Sequence, residues 1–423
     1  MACSFSVYTG EANLSKTISS FYDSNLGEFT GTAVNRMSWM SPETQIWNRY
    51  YSFLGPINMI IEGIDAAEGD HEDLRNYVKG EALVWRAYAY YKLLQYYAPY
   101  QDDRYGIPVY LKPYDDPGNA MPSRLSQTEV YRQILGDCAE AQRLLEITPS
   151  NKWNCAYEPS FLHAMLADIY TYKAMSAAQE SEDWGNALRN AEAAMKGRSL
   201  THDADVFRSM FDCEALKVFT HDEFFIRLVD GTNGLLLAFR TAYCSSDDNM
   251  VDGVPDMDFY KMYKADDMRK KIYFTEQGDG RVVCDKYNLL TQSWKDGGAL
   301  MPFRLAEMYL IKAEALCRTG REAEARTTLD LFKESRYTNV AGSYTESDLL
   351  AEILKERKLE FYQENDFRWL DMKRLGVKME RIINGNVYVL EPDDFRYCQP
   401  IPTDEMKNNF NMVQTPGWDD IFF

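Results

Sequence analysis

Apolar residues recur at helical spacing along most of this chain. In the first clear stretch they stand one, three or four positions apart, as one face of an amphipathic helix requires. These positions are Trp47, Tyr50, Tyr51, Leu54, Ile57, Ile60, Ile61 and Ile64. The same period predicts further helices over about 74–97, 129–147, 161–178, 184–196, 303–319 and 322–332, with Ser126 or Thr128 able to cap the one at 129. The pattern therefore predicts a mainly α-helical fold.

Two of the predicted helix pairs have the character of repeat units. The pairs at 161–196 and 303–332 each place small alanines along one helix face and join the helices by a short turn. A helix–turn–helix unit of about 34 residues with small residues at the contact is typical of tetratricopeptide repeats. We therefore predict a tetratricopeptide-like scaffold, with helical repeats at about 47–196 and 301–376.

The helical period fails over about 197–300 and again after 384. The first of these segments is rich in Gly, Asp and Asn, and its short apolar runs at 224–228 and 235–239 indicate short strands. Residues 387–390 indicate another strand. We predict one domain over 1–423, with a loop-rich insertion containing short strands at about 197–300 and a non-helical C-terminal segment at about 384–423. Loops held by a rigid scaffold are a common place for a binding site.

The run 353–376 combines dense charge with aromatic residues. Glu356, Glu360 and Glu364 stand one helical turn apart, so these carboxylates share a face and repel one another unless cations lie beside them. Two interpretations remain open from the charge pattern alone, namely ion pairs inside a packed body or a solvated surface helix. The apolar spacing predicts two helices, divided around Asn365.

Composition narrows the function classes. Acidic residues outnumber basic ones by 65 to 46, for a formal net charge of −19, and such a charge repels nucleic-acid phosphates. The eight cysteines form no C-x-x-C pair and the four histidines are scattered, so we predict no metal site and no cofactor. No apolar run reaches the roughly 18 residues that a membrane helix needs. The 29 tyrosines supply flat amphipathic surface, for helix packing or for stacking on a ligand.

Five segments, in order along the chain, resemble motifs of one known family. Near the start the matching residues are Trp47, Tyr50, Ile57 and Asn58, then Glu81, Ala82, Arg86, Ala87, Tyr90, Tyr91, Gly106 and Pro108. The later helices contribute Arg304, Ala306, Glu307, Leu310, Ala313, Glu314 and Ala315, then Glu356, Arg357, Glu360, Glu364, Arg368, Trp369, Asp371 and Lys373. The C-terminal match comprises Pro400, Ile401, Pro402, Glu405, Asn411, Gln414, Pro416, Gly417 and Trp418, with Thr415 where the family usually has Asn. The chain thus resembles the SusD/RagB family of outer-membrane nutrient-binding lipoproteins.

The resemblance implies a SusD-like fold and a binding protein without catalytic activity. Such a protein captures an oligosaccharide or polysaccharide, or less often a peptide, and delivers it to a SusC-type TonB-dependent transporter. It also implies a lipid anchor on the outer face of the outer membrane. Family members begin with a leader and a lipoprotein cysteine that this sequence does not show, and no lipobox precedes Cys3. We therefore expect the chain to be truncated at its N-terminus.

Candidate residues fall into two groups. Sugar capture requires aromatic faces and polar side chains in loops, and the candidates for ligand binding are Asn35, Arg36, Trp39, Tyr243, Asp247 and Trp294. The family motifs themselves are expected to form ion pairs between helices, through Arg304, Glu307, Glu314, Glu356, Arg357, Arg368 and Asp371.

Two other function classes stay open. A glycoside hydrolase requires two carboxylates flanking a sugar site, and acidic residues such as Asp247, Asp256 and Asp258 are abundant in the insertion. A cytosolic tetratricopeptide scaffold would fit the missing signal peptide, but it has no use for the segment that ends in Pro416, Gly417 and Trp418.

Overall fold

α-Helices make up most of the structure, which confirms the predicted fold class. The computed structural model describes residues 44–113, 121–146, 159–211, 222–226, 228–230, 257–276, 282–284, 298–362, 367–383 and 386–419, with the single positions 255, 278, 280, 286, 364 and 365. The helices of the first half are α1 (Thr44–Gly63), α2 (Glu72–Tyr97), α3 (Gln127–Glu146), α4 (Pro159–Lys173), α5 (Asp183–Met195) and α6 (Ala204–Ser209). Those of the second half are α7 (Met257–Met262), α8 (Met268–Tyr273), α9 (Leu305–Arg318), α10 (Glu322–Glu334), α11 (Val340–Ser343), α12 (Leu349–Glu360), α13 (Phe367–Leu375) and α14 (Thr403–Asn408).

Helix α2 is the central element of the first half. It packs against α1, α3 and α4, and its side chains from Ala82 to Tyr97 are buried. A helix that is enclosed on every side needs no polar face, and the second half of this helix is buried all round, including the polar residues Arg86, Lys92 and Gln95. The pair α4–α5 packs on the pair α9–α10 through contacts between α5 and α9, and α12 packs on α9. The repeat-like pairs therefore form one continuous helical core.

Local signals explain where individual helices begin and end. Ser126 and Glu129 exchange hydrogen bonds at the start of α3, with the Ser126 N–H donating to Oε2 (2.9 Å) and the Glu129 N–H donating to Oγ (3.2 Å). This is a capping box, so Ser126 is the cap. Helices α12 and α13 are separated at Asn365, whose φ of 45° lies in the left-handed region that Asn tolerates better than most residues. The predicted division around Asn365 is confirmed.

In the described part of the chain, three small antiparallel sheets accompany the helices. They pair β1 (Leu228–Asp230) with β4 (Gly298–Leu300), β2 (Phe274–Glu276) with β3 (Val282–Cys284), and β5 (Met379–Ile383) with β6 (Asn386–Leu390). Their registers align Leu228 with Leu300, Phe274 with Cys284, and Met379 with Leu390. The strand predicted at 387–390 is confirmed as part of β6. The apolar run at 235–239 lies outside the described residues.

Short helices interrupt both segments that the sequence predicts to be non-helical. Helices α6, α7 and α8 lie within 197–300, and α14 lies within the C-terminal segment. That expectation was wrong because each helix has six residues, fewer than the two turns over which a 3.6-residue period becomes visible. Capping residues mark such short helices better than periodicity does, since Asp203 and Asp267 accept backbone N–H groups at the starts of α6 and α8.

The C-terminal segment is fixed by a close turn. Gly417 has a φ of 94°, and a Cβ atom there would lie 2.5 Å from the Phe395 ring. The next residue, Trp418, packs its ring on Phe395 with centroids 4.9 Å apart and donates its indole N–H to the carbonyl of Cys398 (3.2 Å). Glycine is therefore required before this tryptophan for both conformational and steric reasons.

Candidate functional site

All six sequence-predicted ligand residues lie outside the described residues. They are Asn35, Arg36, Trp39, Tyr243, Asp247 and Trp294. Their positions stay a prediction, and the site below is built from other residues.

A groove of about 780 Å³ runs along one side of α1. Its lining comes from α1, from the segment at 110–112, and from Glu405 of α14. This volume lies in the range of small-molecule sites, which combine apolar walls with a few placed polar groups.

Three aromatic rings contribute to the apolar part of the groove. The Trp47 and Tyr51 ring centroids are 4.7 Å apart at 51°, and the Tyr51 and Tyr110 centroids are 5.5 Å apart at 78°. Trp47 is buried, whereas Tyr51 and Tyr110 are half-buried. The Tyr51 hydroxyl donates to the carbonyl of Pro108 (2.8 Å), and burial, with smaller contributions from neighbouring tyrosines, raises its pKa well above the ordinary value. The Tyr51 and Tyr110 rings therefore stand nearly at right angles to each other beside the groove.

Side chains from α1 and α2 hold the groove wall at 108–112. This segment belongs to no strand, so its backbone groups need partners from elsewhere. The Tyr110 N–H donates to the Tyr90 hydroxyl (2.8 Å), which in turn donates to the Tyr110 carbonyl. Asn58 Nδ2 donates to the carbonyls of Tyr110 (2.8 Å) and Lys112 (3.1 Å). The wall is therefore set by side chains rather than by a sheet.

Polar groups of both signs line the groove. Lys112 is exposed and Glu405 is half-buried, with Glu405 Oε1 accepting from Asn409 Nδ2 (3.1 Å). A lysine can donate to a hydroxyl oxygen and a carboxylate can accept from a hydroxyl hydrogen. This combination suits a ligand rich in hydroxyl groups. Among the described lining residues, Glu405 is the one carboxylate.

Glu360, at the end of α12, is the centre of a buried ion-pair cluster. It accepts from Arg304 (2.8 Å), Arg336 (3.0 Å) and Arg269 (3.3 Å). Burial by itself would raise the pKa of Glu360, but the three guanidinium groups outweigh it and hold the pKa well below the ordinary value. Arg269 also bonds Glu356 (2.7 Å). The charged run thus lies inside the packed body, which decides between the two interpretations left open by the sequence.

Arg357 joins a second cluster, between α4, α9, α12 and α13. Its Nε donates to Asp371 (2.7 Å) and its Nη2 to Glu307 (3.0 Å), while Asp168 lies 3.9 Å from Nη2. Burial raises the pKa of Glu307 well above its ordinary value, the nearby Asp168 raises it further, and Arg357 opposes both. Burial also raises the pKa of Asp168. Arg357 thus faces three carboxyl groups, and Arg374 shares the contact with Asp371 (2.7 Å).

The other motif residues lie close to these clusters. Glu314 accepts from Arg374 (2.8 and 2.9 Å) and from Arg318 (2.8 Å). Burial opposes ionisation of Glu314, but these arginines lower its pKa to about 2. Arg368 is half-buried and lines a separate crevice of about 360 Å³ together with Arg357.

No metal centre or membrane segment is found in the described ranges. Within them, no group of three or more His, Cys, Asp and Glu side chains is placed to hold a metal ion. Within the same ranges, every helix is too short or too polar to cross a membrane.

Sequence reasoning missed the residues that form the groove. It assigned Tyr51 to the apolar face of a helix and Asn58 to a family motif. Their spacing of seven residues, about two helical turns, is a signal that both lie on one side of α1. Tyr110, Lys112 and Glu405 gave no comparable signal because they lie on separate elements.

Family comparisons match two long segments of the chain. Residues 6–183 match a family model described as starch-binding and associating with the outer membrane, and residues 279–418 match the model of the SusD family. Together these segments take in well over half of the chain.

Individual relatives agree with the family models. The SusD-like protein P38 of Formosa agariphila is 24% identical over 400 residues, which cover 82% of this chain and 75% of that protein. The starch-binding protein SusD of Bacteroides thetaiotaomicron is 30% identical over 116 residues, 27% of this chain and 21% of that protein. A SusD-like carbohydrate binding protein from Bacteroides vulgatus has the same fold, with a TM-score of 0.74, 18% identity and 97% of each chain covered. A SusD superfamily protein from Bacteroides thetaiotaomicron has a TM-score of 0.74, with 19% identity over 98% of this chain and 99% of the other. With the motifs, the fold and both family models in agreement, this chain belongs to the SusD/RagB family.

Proposed function

We propose that this protein binds an oligosaccharide or polysaccharide at the cell surface and delivers it to a SusC-type TonB-dependent transporter. The observation that carries the binding role is the groove beside α1, where aromatic rings stand next to polar side chains. Membership of a family that includes a starch-binding protein supports the same ligand class. Attachment to the outer face of the outer membrane by a lipid anchor is part of this proposal.

The chemistry of the groove fits a sugar better than a purely apolar ligand. A pyranose ring has apolar C–H faces that pack on aromatic rings and hydroxyl groups that need hydrogen-bond partners. Tyr51 and Tyr110 offer the ring surfaces, and Lys112 and Glu405 offer a donor and an acceptor. Asn35, Arg36 and Trp39, which precede α1 in the sequence, and Tyr243, Asp247 and Trp294 of the insertion are proposed as further contacts.

Capture without turnover is favoured over hydrolysis. Most glycoside hydrolases use two carboxylates about 5–9.5 Å apart across the scissile bond, and the described groove lining offers Glu405. Incubation with soluble polysaccharides should yield no new reducing ends. The release of reducing ends would show that the protein is an enzyme and not a binding protein. Peptide capture is the second candidate, because lysine and glutamate flanking aromatic rings also suit a peptide.

The binding role is tested by affinity electrophoresis through gels that contain soluble starch, xylan, mannan or mucin glycans. Tyr110→Ala should weaken retention about 2–10-fold, the range expected for one aromatic contact. Tyr309→Ala removes a half-buried tyrosine of α9 that does not line the groove, and it should bind like the wild type. Equal retention of both variants would show that the groove is not the site. Isolation of a complex with a co-expressed SusC-type transporter tests the delivery step.

A further inference from the structure

A hydrogen-bond network extends from the groove wall into the core between α2 and α3. Asn58 Oδ1 accepts from Arg86 Nη1 (3.2 Å), and Arg86 makes a two-point contact with Asp137 through Nε and Nη2 (both 2.7 Å). Gln133 Nε2 also donates to Asp137 (2.8 Å). Asn58, Arg86 and Asp137 are exposed by 1%, 6% and 4%. We call these three residues the Asp137 network.

Asn58 lines the groove, yet its own hydrogen-bonding capacity is committed to the protein. Both donor interactions of its Nδ2 atom go to the carbonyls of Tyr110 and Lys112, and its Oδ1 atom accepts from Arg86. An asparagine amide has two N–H donors and one carbonyl acceptor. Its role is therefore to hold the wall, and Arg86 fixes which way the amide faces.

We infer that Asp137, Arg86 and Asn58 are positioning residues for the groove, an inference that rests on the proposed carbohydrate binding there. The two-point contact with Asp137 fixes the plane of the Arg86 guanidinium. That plane directs one N–H at Asn58 Oδ1, so both N–H groups of the amide face the wall. The wall in turn carries Tyr110, whose ring stands at 78° to Tyr51. The angle between the two ring surfaces thus depends on an ion pair that does not line the groove.

Three variants test the network against a matched control. Asn58→Ala removes the side-chain amide that bonds the carbonyls of Tyr110 and Lys112. Asp137→Asn removes the negative charge that orients Arg86. Arg86→Lys keeps a positive charge beside Asp137 but lacks the planar guanidinium group. The control is Asp183→Asn, which breaks the buried pair between Asp183 and Lys173 (2.9 and 3.0 Å) away from the groove. Hydrogen–deuterium exchange of the amides at 109–112, the wall residues that follow Pro108, measures the wall directly. Affinity electrophoresis, beginning with soluble starch, measures binding.

Exchange at 109–112 should accelerate about 2–10-fold in the three network variants, the change expected when one net hydrogen bond is lost. It should stay at the wild-type rate in Asp183→Asn. Retention by the polysaccharide that binds the wild type should fall by a similar factor in the network variants alone. Asp137→Glu, which keeps the carboxylate, should recover part of both losses. A purely structural role would lower the melting temperature while leaving affinity below that temperature unchanged.

Unchanged exchange at 109–112 in the folded network variants overturns the inference whatever the sugar result. Faster exchange with unchanged retention also overturns it, because the wall would then not govern binding. If the wild type binds none of the polysaccharides, the proposed function fails, and the exchange rates alone decide whether the network positions the wall. Should Asn58→Ala or Asp137→Asn fail to fold, Arg86→Lys decides the outcome, since it retains the charge pairing.

Discussion

Replacing Glu360 with Gln should destabilise the protein by removing a charge at the centre of three buried arginines. Glu360 is fully buried and accepts from Arg304, Arg336 and Arg269. The isosteric amide also turns one acceptor into a donor that faces guanidinium N–H groups. Each arginine nevertheless keeps another carboxylate: Glu364 for Arg304, Glu223 for Arg336 and Glu356 for Arg269.

The retained partners set the expected size of the effect. Removing one member of a buried ion pair costs about 3–5 kcal/mol, and because no arginine is left without a carboxylate we expect about 3 kcal/mol. With an unfolding entropy of about 2.1 cal/mol/K per residue, a chain of 423 residues has about 0.9 kcal/mol/K. The melting temperature should therefore fall by about 3–4 °C.

Differential scanning calorimetry at pH 7 measures this shift, with Glu324→Gln as the control. Glu324 pairs with Arg321 at the surface (2.6 Å), where solvent screening makes such a pair contribute little to stability. The pKa of Glu360 is held below its ordinary value, so its stabilising contribution is present above about pH 4.5 and is lost as the pH falls through the folded-state pKa. The gap between wild type and Glu360→Gln should therefore narrow on acidification. A Glu360→Gln melting temperature within 1 °C of wild type at pH 7 would refute the reasoning.

Three further predictions address other residues. Arg357→Ala should lower the free energy of unfolding by about 3–5 kcal/mol in urea titrations, because it removes the arginine that pairs with the buried Glu307 and leaves Asp371 with Arg374 alone; an unchanged midpoint would contradict this. Because the pKa of Glu307 is raised in the folded state, its carboxyl group lowers the stability of the wild type as the pH rises from about 4.5 towards that pKa. The melting temperature of Glu307→Gln should therefore rise relative to that of the wild type over this interval. Parallel plots of melting temperature against pH for the two proteins would contradict this. Trp39→Ala should weaken polysaccharide retention with little change in melting temperature, whereas a large drop in melting temperature would assign Trp39 to the core.

The helices could be predicted from the sequence because their signals are local. Trp47, Tyr50, Leu54 and Ile57 recur at helical spacing and are all buried on one side of α1. The next apolar position, Ile60, is 38% exposed, because the helix there approaches its end. Apolar periodicity marks a buried helix face only where a neighbouring element covers that face. The pattern therefore shows where the helix lies more reliably than it shows where the packing against its neighbour ends.

The groove could not be predicted because its parts meet across long separations. The Tyr51 hydroxyl bonds Pro108, 57 positions away, and Asn58 bonds Tyr110, 52 positions away. The ion-pair partners of Glu360 have the same character, since Arg304 is 56 positions away and Arg269 is 91. Charge pattern shows that Glu356, Glu360 and Glu364 need cations, but it does not say which of 46 basic residues supply them.

Helix α2 connects the Arg357 cluster to the groove and explains why the two should respond differently to substitution. The Tyr91 hydroxyl of α2 donates to Asp168 of that cluster (2.8 Å), while Arg86 and Tyr90 of the same helix hold the groove wall. Substitutions in the clusters act on the packing that keeps α2 in place, so they should lower stability and leave affinity intact in the molecules that remain folded. Substitutions in the Asp137 network act on the wall itself, so they should change affinity at temperatures where the protein is fully folded. We therefore expect the ion-pair clusters to govern the stability of the helical scaffold and the Asp137 network to govern the shape of the groove.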